Sequence, residues 1–260
     1  MKIASWNVNS LKVRLPQVLD WINLNQPDVL CLQETKQNND NFPHDVFEKR
    51  GLFSYHNGQN TYNGVAIISN KELIDVQFDI PNFYDEQKRL ISGIYPNDKD
   101  PKFRVISAYI PNGQSLNSDK FEYKMNWLKS FISSLQKKID GVENIITGDF
   151  NIAPTKLDCY DSKSWDGKIL VSPQEREYFD KLLNLGFIDT FREMNPNANE
   201  FSWWDYRIPF KRNLGMRIDH ILLSKNLLTF LKKAYIDKTT RSLERPSDHV
   251  PVVTELSLNP

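Results

Sequence analysis

The sequence predicts an α/β domain in which two packed sheets are covered by helices. Short β-branched and aromatic runs alternate with amphipathic helical stretches from one end of the chain to the other, and no Gly/Ser linker, internal repeat or low-complexity block interrupts them. The strand-like runs are too many for a single doubly wound sheet, which favours a second sheet packed on the first. A chain of 260 residues is ample for one well-buried core of this kind, so residues 1–260 are read as a single domain.

Taken in order, residues 2–7 form the first strand. A helix follows over residues 11–24, with Leu15, Val18, Leu19 and Ile22 on one side and Pro16 in or near its first turn. Strands are expected at 28–33, 64–69, 90–95 and 103–110. The clearest helix spans 118–139, where Phe121, Met125, Leu128, Ile132, Leu135 and Ile139 advance by fours and threes into one apolar stripe, opposite a face mainly of Lys, Ser and Gln. After a strand at 144–148, Ser172-Pro173-Gln174-Glu175 announces another helix: Ser caps it, Pro fits its first turn and Glu stands three residues after the cap. Gly186 supplies its stop. Runs at 201–204, 217–223 and 250–256 complete the strands.

Composition excludes several classes. The 33 Lys+Arg balance 33 Asp+Glu, and 40% hydrophobic with 25% charged residues describes an ordinary globular protein rather than a disordered, collagenous or disulfide-framework chain. There is no apolar run of about 18 residues, and MKIASWNVNS is too short an apolar stretch for a signal peptide, so a cytoplasmic protein that crosses no membrane is expected. Cys31 and Cys159 lack CxxC spacing and neighbouring His, which argues against zinc and against a disulfide framework. Zero net charge also excludes a polycationic clamp, but the total hides a distribution. Residues 201–249 carry ten Lys+Arg against five Asp+Glu, whereas residues 26–100 carry seven against twelve.

The polar residues recur at one kind of place. IASWN ends at Asn7, VLCLQE at Glu34, VISAYIPN holds Tyr109 and Asn112, and NIITGDFN ends with Asp149 and Asn151; RIDHILL holds Asp219, and SDHVPV holds Asp248 and His249. Any one of these alone reads as a cap or turn. Six segments with the same habit point to convergence at one end of the core, where ligand sites form in α/β sheets. The set is rich in oxygen and has no thiolate, which suits a hard cation such as Mg²⁺, with Mn²⁺ as a substitute. Few carboxylates around a hard cation leave room for waters and phosphate oxygens, so phosphoester chemistry is expected.

In their order along the chain, WNVNSLKVRL, LQETK, YNGVAI, AYIPNG, GDFNIAP, WWDYR, LGMRIDHILLS and PSDHVPV resemble the exonuclease III family of abasic-site endonucleases, specifically its bacterial branch. GDFN and SDH alone mark only the wider endonuclease/exonuclease/phosphatase superfamily; residues 148–179 with SWWDYR and RIDHILLS are more specific. The resemblance implies a four-layer αββα sandwich and Mg²⁺-dependent cleavage 5′ to abasic sites in duplex DNA. It also implies 3′→5′ exonuclease and 3′-end-cleaning activity in base excision repair, by a monomer acting on duplex DNA at an abasic site or a 3′ end. Residue by residue, it implies Glu34 as the principal metal ligand with Asn7 beside it, and Asp149 as the residue that orients or deprotonates the water. Asn151 would hold nucleophile and phosphate. Asp219 would fix the tautomer of His249, whose imidazole meets a phosphate oxygen. Asp248 would bind that metal or a second one, and Tyr109 would contact the scissile phosphate as base or as hydrogen-bond donor. Trp203 and Met216 would wall a pocket for an extruded sugar or else belong to the core, and Arg89 and Asn112 would support phosphate or metal. Lys211, Arg212 and Arg217 are read either as DNA-backbone contacts or as solvated surface. His44, His56 and His220 are given structural or solvent roles, His220 pointing away from Asp219 along a strand.

The chain departs from the family at Asn9-Ser10, where a ligand carboxylate is absent, at Met216, which replaces a bulkier aromatic, and in the loop 113–118. Two other classes remain as alternatives: a superfamily phosphodiesterase acting on an inositol phosphate or sphingolipid, and a DNA-binding module without catalysis.

Overall fold

The computed structural model describes residues 1–97, 102–137 and 139–258. Lys138 of the expected central helix, and Asn259 and Pro260 at the end of the expected domain, lie outside the described residues.

Two six-stranded mixed sheets lie face to face. The first has the order β11 (Leu231–Ile236), β12 (Val252–Leu256), β1 (Lys2–Asn7), β2 (Val29–Gln33), β4 (Val65–Ser69), β3 (Phe53–Asn57). The second runs β5 (Ile74–Phe78), β6 (Leu90–Tyr95), β7 (Lys102–Tyr109), β8 (Val142–Asp149), β10 (Asp219–Ser224), β9 (Phe187–Asp189). Parallel pairing is confined to β1 with β2 and β7 with β8; the other pairs are antiparallel.

Alternation along the strands builds the layers. Ile3, Val29, Cys31, Val65 and Ile67 of the first sheet meet Ile91, Phe103, Val105, Ile145 and Ile221 of the second in a central core. The opposite side of the first sheet presents Ala4, Trp6, Leu30, Leu32 and Ile68 to α1 (Leu11–Asn25), through Val18, Trp21 and Ile22. Ile106, Ala108, Ile146 and Leu222 of the second sheet pack on α3 (Asp119–Leu135) and α5 (Pro173–Asn184), through Trp127, Phe131, Phe179 and Leu182. The fold is therefore the four-layer αββα sandwich. Shorter helices α2 (His44–Glu48), α4 (Ser162–Trp165) and α6 (Thr190–Met194) fill the connections.

The structure departs from the sequence reading in definite ways. The strands not foreseen, β3, β5, β9 and β11, are the four sheet edges. The run at 201–204 joins neither sheet and makes only isolated bridges from Trp203 to Met216 and to His249. Pro16 stands in the second turn of α1. Helix α3 ends at Leu135, with Ile139 exposed beyond it, and its buried face takes in Trp127, Phe131 and, unexpectedly, Lys124. Helix α5 starts as expected, with a complete capping box between Ser172 and Glu175. Cys31 and Cys159 are buried free thiols, and burial pushes the Cys31 thiol up to about 12. Among the described residues no helix is long and apolar enough to cross a membrane.

Candidate active site

The two parallel pairs set the position of the site. Strands β1 and β2 deliver Asn7 and Glu34 at their carboxyl ends, and β7 and β8 deliver Tyr109 and Asp149 at theirs, on register with one another. Strand β10 runs antiparallel to β8 and begins with Asp219 directly opposite Asp149. Asp248 and His249 lie in the connection that leads, through Val250 and Pro251, into β12, antiparallel to β1. Every group thus arrives at one rim of the sandwich, where ligands bind in open α/β sheets.

The backbone turns sharply as it leaves the strands. Glu34, Lys36 and Asn151 have φ of +51°, +54° and +50°. Asn accepts this region readily, whereas a Glu must be held there. Ser10 N–H donates to the Glu34 carbonyl at 2.7 Å and Leu11 N–H to that of Thr35 at 3.0 Å, tying the turn to the start of α1.

Side chains interlock across the rim. Asn7 Nδ2 donates to both Glu34 Oε1 and Asp149 Oδ2, each at 2.9 Å, and Tyr109 Oη donates to the same Glu34 Oε1 at 2.9 Å. Lys36 Nζ meets Glu34 Oε2 at 2.9 Å and Asn9 Oδ1 at 2.5 Å. His249 Nδ1 lies 2.9 Å from Asp219 Oδ2, which also accepts from Ser202 Oγ at 2.6 Å, and His249 Nε2 lies 3.7 Å from Asp149 Oδ2. Asn151 N–H donates to Asp149 Oδ1 at 2.9 Å, and Asn112 Nδ2 donates to Asn151 Oδ1 at 2.8 Å. The Arg89 guanidinium covers the Tyr109 ring at 4.6 Å and donates to its carbonyl at 3.1 Å.

Burial and charge then set the protonation states. Burial pushes the Asp149 carboxyl up to about 7, with Asp219 and Glu34 adding to the rise and His249 and Asn7 opposing it. Burial alone would lower the His249 imidazole, but Asp219 and Asp149 outweigh it and lift the ring to about 10, so it is an imidazolium at neutral pH. Burial would likewise raise Glu34, yet Lys36 and Asn7 hold it below its ordinary range. Tyr109 is raised well above the usual phenol range by burial and by Glu34, with Arg89 opposing, so it stays a donor.

The donor set fits a hard divalent cation. The Asp149 and Asp219 carboxylates lie together beside the protonated His249, and the anionic Glu34 is joined to Asp149 through Asn7, so the oxygens of Glu34, Asp149 and Asn7 are the donors. Asp248, the other expected ligand, accepts from Asn9 Nδ2 at its Oδ1 at 2.9 Å and from Trp203 Nε1 at its Oδ2 at 3.0 Å, and so holds the indole.

Asn7, Glu34, Tyr109, Asp149, Asn151, Asp219 and His249 therefore meet in one network, with Arg89 behind Tyr109, the exposed Asn112 on Asn151 and the half-buried Trp203 beside His249. Met216 is a correction. It is wholly buried among Ala153, Cys159, Leu170 and Ile218, and it pairs with Trp203 through the backbone, so it backs the indole rather than walling an open pocket. Arg217 is another: it is buried in ion pairs with Asp158 at 2.6 Å and Asp189 at 2.8 Å, out of reach of a DNA backbone, while Lys211 and Arg212 are exposed. His220 packs against Phe150 and Phe179 on the far face of β10, and His56 is buried on Thr35 Oγ1 at 2.8 Å. The sequence reading missed Lys36 and Ser202. Both stand inside the quoted motifs LQETK and SWWDYR, but nothing in their residue type alone marks a partner.

The sequence pattern of the Endonuclease/Exonuclease/phosphatase family matches residues 4–249. The chain is 37% identical to exodeoxyribonuclease III of Haemophilus influenzae, over 98% of this chain and 99% of that one. It is 31% identical to the DNA repair nuclease APEX1 of Danio rerio, over 99% and 83%. Among solved structures, the 3′ phosphatase NExo of Neisseria bound to a product DNA hairpin superposes with a TM-score of 0.95 at 43% identity, covering 99% of both chains. An AP endonuclease from Archaeoglobus fulgidus superposes at 0.94 with 35% identity, covering 99% of this chain and all of the other.

Proposed function

The chain belongs to the Endonuclease/Exonuclease/phosphatase family, and from that premise we propose that it is a metal-dependent DNA-repair nuclease of the exonuclease III type. Its reactions are hydrolysis of the phosphodiester 5′ to an abasic site and removal of nucleotides and blocking phosphates from the 3′ ends of duplex DNA. The observation that carries this reading is the Asp219–His249–Asp149 alignment at the rim, joined through Asn7 to Glu34, in a chain similar over nearly its whole length to exodeoxyribonuclease III.

Glu34, Asp149 and Asn7, with Asp219 adjacent, would hold the cation, Mg²⁺ with Mn²⁺ as substitute, and once bound it offsets charge on the phosphate and acidifies a water. Asp149 accepts the proton of the attacking water. Its carboxyl lies near neutrality before a cation is added, which suits a general base. Asn151, bonded to that carboxylate through its own N–H, fixes the direction of the lone pair. His249 is kept protonated and oriented by Asp219, leaving Nε2–H to donate to a phosphate oxygen, and the Tyr109 phenol supplies another neutral donor. Trp203, pinned by Asp248, gives one wall for an extruded sugar, and exposed Lys211 and Arg212 are available to backbone phosphates. A cytoplasmic monomer working through one domain completes the reading.

The test is a labelled duplex carrying one abasic analogue, beside a nicked duplex with a 3′-phosphate, each incubated with Mg²⁺, Mn²⁺ or EDTA. Cleavage in both divalent ions and none in EDTA is expected. Absence of metal-dependent cleavage overturns the proposal, and turnover of an inositol phosphate or sphingolipid with none of DNA moves the chain elsewhere in its family.

A further inference from the structure

Beneath the active-site rim lies an ion pair that the reaction as described leaves unused. Lys124 of α3 and Glu175 of α5 are both completely buried and in direct contact. A bare buried pair is a poor source of stability, because the cost of desolvating two charges can exceed their mutual attraction. Here all three ammonium protons have acceptors: the Glu175 carboxylate, the Asn151 carbonyl at 2.8 Å and the Asn112 carbonyl at 3.3 Å. Glu175 is equally committed, taking Leu170 N–H and Ser172 N–H at 3.0 Å each and Ser172 Oγ at 2.7 Å. Two of the acceptors on Lys124 are thus the main chain of Asn112 and Asn151, whose side chains bond each other at 2.8 Å beside Asp149. Gly113 shows how closely the lysine stem is packed. Its φ is +86°, and an added Cβ would come within 3.2 Å of the Lys124 Cδ, so the loop after Asn112 is cut to fit over this side chain.

We propose that Lys124 is a positioning residue of the reaction: anchored by Glu175, it clamps the backbone carbonyls of Asn112 and Asn151 and thereby sets the carboxamide pair against Asp149. The proposal rests on the nuclease reading given above. Lys124 touches neither substrate nor cation and acts through Asn151. An aliphatic residue of similar volume at 124 fills the same space but leaves the two loops free to shift by fractions of an ångström, enough to misdirect the Asn112–Asn151 carboxamide pair beside Asp149.

The experiment compares full-length Lys124→Met, the double variant Lys124→Met/Glu175→Gln, and Lys124→Met placed in an Asn151→Ala background, measuring thermal midpoint, kcat and KM on the abasic duplex with saturating Mg²⁺. Lys124→Met alone leaves a buried carboxylate uncompensated, so both stability and kcat fall. Adding Glu175→Gln removes that charge and restores most of the thermal midpoint, while kcat stays about ten- to a hundredfold down with KM changed less than about threefold. In the Asn151→Ala background the lysine substitution costs little further kcat, since both act on one group. Recovery of kcat together with the midpoint, or losses that multiply in the Asn151→Ala background, overturns the proposal. Should neither methionine variant fold, Lys124→Arg keeps the charge against Glu175 but alters the reach of the donors, and a full kcat at an unchanged midpoint is then the overturning result. A wild-type protein without metal-dependent cleavage would instead overturn the functional reading, and this inference with it.

Discussion

The hydroxyl of Tyr109 donates to Oε1 of Glu34 at 2.9 Å, linking the carboxyl end of β7 in one sheet to the turn after β2 in the other. The acceptor is an anion and the ring lies under Arg89, so the phenol is locked as a donor and is raised well above its usual range by burial and by Glu34. Tyr109→Phe is expected to lower kcat about ten- to a hundredfold, the loss of one oriented donor, without moving the alkaline limb of the pH–rate profile below about pH 9. An acid limb that disappears in Tyr109→Phe would make the tyrosine the base.

Glu34 and Asp149 share Asn7 but differ in what they do. Glu34→Ala weakens cation binding, so its activity should recover partly as Mg²⁺ is raised. Asp149→Asn removes the proton acceptor and should lose about a thousandfold or more of kcat at any Mg²⁺ concentration. Titrating Mg²⁺ against initial rate for both variants checks this, and equal recovery shows that the roles are misassigned.

His56 is buried against Thr35 and Phe42, and burial holds its imidazole down at about 3. The unfolded chain therefore binds a proton near pH 6.5 that the folded chain refuses until about pH 3, and stability conferred by the neutral ring is lost as pH falls through that window. The slope is about 1.4 kcal/mol per pH unit. Asp149, raised to about 7, works in the opposite sense over part of the same range, so the contribution has to be isolated by difference. Denaturant unfolding at pH 5 and pH 6 should show a smaller loss on acidification for His56→Asn than for the wild type; equal losses would remove the histidine from the account.

Gly148 sits between Ala108 and His220 in the sheet, one residue before Asp149. Its φ is +148°, and a Cβ there would lie 1.8 Å from the Ala108 carbonyl oxygen, a backbone atom that cannot rotate away. Gly148→Ala should destabilise by about 3 kcal/mol and displace Asp149, lowering kcat as well. An unchanged urea midpoint contradicts this.

What the sequence made legible follows burial. Strands β1, β2, β4, β7 and β12 are mostly buried, as is the carboxyl-terminal part of β8, and all were located within about two residues. The edges β3, β5, β9 and β11 were missed because a strand with one free side and half-exposed residues, such as the exposed Ile74 and Phe78 of β5, carries neither a continuous apolar run nor a clean alternation. The site was legible for a different reason: a polar residue that ends an apolar run is expensive to bury unless several meet, and they do. Met216 and Arg217 misled because their residue types do not reveal which face of a connection is covered, and both turn inward beneath Trp203 and Phe191. Lys124 escaped because a lysine on a helix reads as solvated surface unless its acceptors are known.

The strand order carries one last consequence, for synthesis. The second sheet draws on an unbroken stretch from Ile74 to Ser224, but the first places β1 between β2 and β12, so its central strand lacks its second neighbour until residues near Leu256 have been made. Asn7 and Glu34 come from the late-closing sheet, and Tyr109, Asp149 and Asp219 from the early one. A nascent chain therefore carries Tyr109, Asp149 and Asp219 on strands that can pair early and Asn7 and Glu34 on a sheet that closes later, and cleavage is expected only once β12 has been made and has paired. Chains stalled before β12 should show protected amides in β7 and β8, weaker protection in β1, and no cleavage.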